Sequence, residues 1–139
     1  MLRESRAPKV RHWLVNYIVA KGPHLEELRV RWIADEDPDV AAAGWALTAI
    51  RVRKDAAGLD LEALLDDIEA EMRDAPAALQ WEMNSALAHI GIEHPAQRPC
   101  ALDIGARLGV LKDYPTPPNC TSPYAPEWID EMVRRREHA

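Results

Sequence analysis

The 139-residue sequence is poor in cysteine, with only Cys100 and Cys120. That excludes a disulfide-stapled scaffold and suits a reducing compartment. No run of 18 apolar residues occurs, so no membrane-spanning helix is expected. Nor is there an N-terminal apolar h-region of the export type, and a cytoplasmic protein is the expectation. Runs of strict apolar/polar alternation are lacking too, which argues against sheet and for an all-α fold. G-x-G-x-x-G, G-x-x-x-x-G-K-[ST] and a nucleophile elbow are all missing, leaving nucleotide-binding and acyl-transfer enzymes without support. His89 and His94 straddle Gly91 instead of facing each other across a helical turn, and neither cysteine lies at ligand spacing to them. No metal and no cofactor are therefore expected.

Excess basic charge is also absent overall: the net charge is −6. The signs are unevenly spread. Residues 1–54 carry 10 Lys/Arg against 7 Asp/Glu, and residues 55–139 carry 7 against 16. Contact with a polyanion would have to use the first third. At this length one domain spanning 1–139 is expected, with enough surface buried to fold unaided.

What is present is helical punctuation. Proline opens three segments, at Asp37-Pro38, Pro76 and Pro95, where its missing N–H costs nothing. Gly91 and Gly109 stand where left-handed C′ residues would close two of them. Between Asp60 and Asp74, Leu61, Leu64, Leu65, Ile68 and Met72 form one apolar stripe among acidic residues, the pattern of an outer helix. Further helices are expected at 9–21, 24–34 and 126–137. The stretch "VAAAGWALTAI", 40–50, has no charge at all and reads as the central inner helix, with small residues at 41–44 permitting close approach.

"ALTAIRV" (46–52) and "ALAHIGI" (86–92) match at an offset of 40 residues, and "WLVNYIVAK" (13–21) overlies "WALTAIRVR" (45–53). A period near 40 is that of HEAT-like helix pairs, so stacked antiparallel pairs forming an α-α superhelix are expected. From 110 to 125, Pro115, Pro117, Pro118 and Pro123 forbid regular helix. Val110, Leu111, Tyr114 and Tyr124 give this strap apolar feet, and the final helix at 126–137 brings Trp128, Ile129, Met132 and Val133 back onto the array as a cap.

The segments "QWEMNSALAHIGIEHP" (80–95), "ALDIGARLGVLKDYP" (101–115) and "CTSPYAPEWIDEMVRR" (120–135), with "WIADEDPDVAAAGWAL" (32–47) upstream, resemble the C-terminal half of the DNA alkylation repair family. That family comprises HEAT-like helical proteins whose characterised members excise alkylated bases as glycosylases. The resemblance implies a concave face that binds duplex DNA carrying alkylated bases, with tryptophans and one aspartate around the lesion. An aspartate and π-faces would stabilise the positive charge that develops as the glycosidic bond breaks.

This sequence departs from that pattern. The family's Trp-x-x-x-Asp helix best matches "HWLVN", which puts Asn16 at the aspartate, His12 at the tryptophan and Trp13 one residue on; no carboxylate occurs between Ser5 and Glu26. The family's Trp-x-Leu-Arg falls on Ser85-Ala86-Leu87-Ala88, with Trp81 one turn earlier, Asn84 beside it and no arginine. The resemblance thus implies binding candidates Trp13, Trp45, Arg51, Arg53, Trp81 and Asn84, with Asn16 at the catalytic position. Two functions are expected to compete. One is an alkylation-repair protein that binds damaged DNA. The other is a non-catalytic interaction or assembly module, plausibly a homodimer, favoured by the nine carboxylates against Arg73 between Asp55 and Glu82.

Overall fold

A computed structural model describes residues 25–138. The expected helix at 9–21 lies outside them. Among the described residues every regular element is helical: α1 (Leu25–Ile33), α2 (Pro38–Lys54), α3 (Leu61–Glu71), α4 (Ala77–Glu93), α5 (Arg98–Leu108) and α6 (Ala125–Glu137). The fold is all-α.

Local chemistry sets the helix starts. Asp37 caps α2 by accepting from the Asp39 N–H, and Asp60 caps α3 by accepting from the Ala63 N–H, each satisfying a donor that the first turn leaves free. Acidic residues open α1 (Glu26, Glu27) and basic ones close α2 (Arg51, Arg53, Lys54), as the helix dipole favours. Gly109 ends α5 in the left-handed conformation, φ 65°, where a side chain would be strained.

Two of the expected boundaries are corrected. Gly91 is not a C′ residue; α4 runs through it to Glu93. A Cβ there would stand 2.9 Å from Ile129 Cγ1, so the residue is glycine to let α6 press against α4. Pro95 does not open a helix, because α5 begins at Arg98 and uses Pro99 in its first turn. Pro95 sits instead in a turn whose carbonyl accepts from the Arg98 N–H.

α2 and α4 make the most extensive helix pair; α1 packs on α2, α6 on α4, and α3 and α5 cover α4 and touch each other. The core between them contains Trp45, Leu65, Ile68, Met72, Met83, Leu87, Ile90, Ile104 and Ile129. Val40, Ala43 and Leu47 form a smaller cluster with Trp32, Ala46 and Ile50. The order is that of a helical-repeat arrangement, in which each new helix packs mainly on its near neighbours.

The approach of α1 to α2 is close enough to need a glycine. A Cβ on Gly44 would lie 2.5 Å from the Ile33 backbone nitrogen and 2.9 Å from its Cα. Polar bonds fix the same contact: buried Arg29 donates to Thr48 Oγ1 at 3.2 Å, and the Thr48 hydroxyl donates to the Gly44 carbonyl at 2.9 Å.

After Gly109 the chain takes turns closed by the Lys112, Tyr114 and Cys120 N–H groups, with Leu111 and Asn119 at positive φ. Val110 is buried, and Leu111 and Tyr124 are partly buried. Tyr114 departs from the expected apolar foot: it is 49% exposed. The strap is pinned at its far end by Asn84, whose Nδ2 donates to the Pro123 carbonyl at 2.7 Å.

Candidate functional site

α4 has a single open edge. Residues 82–84, 86–88 and 90–92 are buried, whereas Trp81, Ser85, His89 and Glu93 recur every four positions and reach the surface to differing extents. A four-residue spacing stacks side chains along one helix face, so these four form a row. Trp81 is its most open member, at 42% exposure.

The strap and α6 add to this row. Tyr114 meets Trp81 with ring centroids 5.5 Å apart and planes tilted by 59°. Trp128, in the first turn of α6, meets His89 edge to face at 5.4 Å. Trp81, Tyr114 and Trp128 line a groove of about 260 Å³ with Pro115, Pro117 and Pro123, and Thr116, Cys120, Thr121 and Ser122 complete its lining. No carboxylate is among these lining residues.

The other end of the row is ionic. Arg136 donates to Glu93 at 2.5 and 3.1 Å, joining α6 to α4 and holding the Glu93 carboxyl below its ordinary range. Burial, with the positive field of Arg53 and Arg136 outweighing that of Glu93, pushes the His89 imidazole down from 6.5, so the ring is neutral at pH 7. Its Nδ1 has no hydrogen-bond partner. Arg53, in the last turn of α2, is exposed and makes no ion pair among the described residues. Aromatic surface, neutral imidazole and a guanidinium without an ion pair among the described residues thus occur together across α2, α4 and α6.

The sequence of residues 8–129 matches the profile of the DNA alkylation repair enzyme family. The chain belongs to the DNA alkylation repair enzyme family. No curated protein and no solved structure matches it.

The residues that the family resemblance singled out do not all share this site. Trp81 and Arg53 lie on the open face. Trp45 is 3% exposed and belongs to the core. Asn84 is buried beneath the strap, with Oδ1 unpartnered. Arg51 is occupied: it donates to Glu26 at 2.6 Å and to the Asp55 and Ala57 carbonyls, ordering the turn after α2. Trp13 and Asn16 lie outside the described residues. Sequence reasoning missed Tyr114 and Trp128 at the groove with Trp81, and His89 in its row. The four-residue recurrence of Trp81, Ser85 and His89 was available as a signal for His89, but nothing in the sequence predicts where a strap folds back.

No three His, Cys, Asp or Glu side chains cluster as metal ligands among the described residues, and no described helix is long and apolar enough to cross a membrane.

Proposed function

We propose that this protein binds duplex DNA containing alkylated bases and recognises the damage without cleaving the glycosidic bond itself. The observation that carries this reading is the row Trp81, Ser85, His89 with Arg53 beside it. There an indole and an imidazole share one open helix face, and Arg53, which makes no ion pair among the described residues, is near enough to His89 to act on its charge, in a chain of the DNA alkylation repair enzyme family. Arg53 supplies attraction for phosphate, and the indole supplies a face for a base.

The acids within reach support recognition over excision: Glu93, the carboxylate of the row, is held by Arg136. Bond cleavage in an alkylated nucleoside needs negative charge beside the developing cation. Among the described residues the groove lining has no Asp or Glu, and the family's aspartate position is Asn16 in the best register. An amide supplies a dipole but no charge.

Two measurements on one substrate test this. A duplex containing N-methylated purines should bind with an affinity that falls linearly on a log–log plot as salt rises. The same duplex should release no free base above its uncatalysed rate. Binding insensitive to salt would dismiss the DNA reading, and enzyme-dependent base release would dismiss its non-excising part.

A further inference from the structure

We propose that the groove between the strap and α4 docks a partner protein through an extended, proline-rich peptide with a lysine or arginine beside its prolines. This goes beyond the DNA-binding reading and stands independently of it. The fit of such an occupant rests on shape, hydrogen-bonding capacity and charge.

Trp81 and Tyr114 are two of the three large apolar side chains exposed among the described residues, and their ring centroids lie 5.5 Å apart. A 59° tilt leaves a wedge between the two non-parallel faces. A pyrrolidine ring, compact and already rigid, can fill a wedge of that kind at little cost in conformational entropy. Trp128, Pro115, Pro117 and Pro123 extend the apolar wall of a groove of about 260 Å³. Polyproline II segments are stiff before they bind, and grooves lined by aromatic rings are what receives them in unrelated recognition modules.

A proline-rich peptide has few backbone N–H groups, and its polyproline II carbonyls have no internal partner. It needs donors and offers almost none. The groove supplies them. Thr121 Oγ1 and Ser122 Oγ accept from Arg135 and from the Tyr124 N–H, so each keeps a hydroxyl proton for a ligand. The Trp81 indole N–H and the Tyr114 hydroxyl make no hydrogen bond among the described residues. Carboxylates, which could only accept, are missing from the described lining.

Cys120, Thr121 and Ser122 are shared with a second, polar hollow of about 460 Å³ that also includes Glu127, Glu131 and Arg135. Glu131 is taken up by Arg134 and Arg135. Exposed Glu127 makes no ion pair among the described residues. Those two acids and two arginines balance, so the preference for a cation is local to Glu127. A basic side chain next to the prolines would complement that carboxylate, and an acidic one would be repelled. Trp81 belongs both to this groove and to the open row of α4, so a docked peptide and a duplex would compete for it.

The test uses the whole protein, without DNA, and a fluorescently labelled oligoproline carrying an arginine at each end. A control peptide has glycine in place of every proline, and another has glutamate in place of each arginine. The first peptide should bind on the order of tenfold more tightly than the glycine control and several-fold more tightly than the glutamate control. Trp81→Ala and Tyr114→Ala should each abolish the preference for proline. Glu127→Gln should bring the arginine and glutamate peptides within about twofold of each other. All three residues are exposed, and a thermal melt confirms that the variants fold. Equal affinity for the proline and glycine peptides, or a preference that survives both alanine variants, overturns the groove assignment. An arginine preference unchanged by Glu127→Gln overturns the basic flank. Because no DNA is present, neither result touches the DNA reading, which stands or falls on the duplex titration. Saturating peptide added to that titration should weaken duplex binding, and independent binding of the two would overturn the shared use of Trp81.

Discussion

Gly44→Ala should destabilise the protein although alanine is the better helix former. In the middle of an exposed helix the replacement gains about 1 kcal/mol. At Gly44 the added methyl would meet the α1 backbone, 2.5 Å from the Ile33 nitrogen and 2.9 Å from the Trp32 carbonyl carbon. Side-chain rotation cannot relieve a clash with backbone, so α1 must move as a unit. Overpacking of this kind costs about 1–3 kcal/mol, and the backbone partner puts this case at the upper end. Subtracting the propensity gain leaves a net loss of about 1–2 kcal/mol, or about 5 °C in Tm for a chain of this size. Retreat of α1 also stretches the Arg29–Thr48 and Glu26–Arg51 contacts, 3.2 and 2.6 Å in the native fold. Amides of α1 should therefore lose hydrogen-exchange protection before those of α4. A melting temperature that stays level or rises, with α1 protection intact, would refute the packing argument.

Glu26 is held at about 2, against an ordinary 4.5, by Arg29 and then Arg51. A depressed carboxyl contributes stability that is complete above about pH 4.5 and vanishes as pH falls through about 2. The carboxylate is about half exposed, so screening limits the contribution to about 1 kcal/mol. Glu26→Gln should cost that much at pH 7, and its deficit relative to wild type, followed by denaturant melts, should close across that window. Asn84→Ala removes the bond to the Pro123 carbonyl and should free the strap. Lys112, the only Lys or Arg between Arg107 and Arg134, then becomes a fast trypsin site, read as two fragments on a gel. Arg53→Ala should weaken duplex binding uniformly across sequences and reduce the magnitude of the log–log salt slope by about 1. An unchanged slope would remove Arg53 from the interface.

The sequence was most informative where one residue type has one physical reason to be present. Asp37 and Asp60 are caps because a short acceptor just before a helix satisfies a first-turn donor. Gly109 is a left-handed terminator because no other residue takes φ 65° as cheaply. The inner character of α2 followed from eleven successive uncharged residues. It was least informative where the same residue serves two ends. Gly91 looked like a terminator but provides room for Ile129. Trp45 and Trp81 are both tryptophans on largely apolar helices, yet one is core and the other open, and only the neighbouring helices distinguish them. Arg51 and Arg53 lie two residues apart on a helix end. A carboxylate 25 residues earlier ties up Arg51, whereas Arg53 makes no ion pair among the described residues.

Placement also changes the weight of the acidic stretch, 55–82, as an objection to DNA. Nine carboxylates in that stretch favour an assembly module because they would repel phosphate. Most of them belong to α3, whose buried residues are Leu64, Leu65 and Ile68 and whose acids are exposed. α3 packs against α4 and α5 and lies on the covered side of the α4 helix, away from the open row. One of its acids, Glu69, pairs with Arg107 of α5. Packed helices have axes 8–10 Å apart, and the screening length at physiological salt is about 8 Å. Charges on the far surface of α3 are thus more than one screening length from a phosphate on the open face. Their repulsion is weak there, and the local field is set by Arg53, by the Arg136–Glu93 pair and by Arg134 and Arg135 with Glu127 and Glu131. This yields a distinction that net charge alone conceals: replacing Asp66 and Asp67 by asparagine should change duplex affinity by less than twofold at 0.15 M salt, whereas Arg53→Ala should change it several-fold. The reverse order would mean that phosphate approaches the acidic layer and that the open row is not the DNA face.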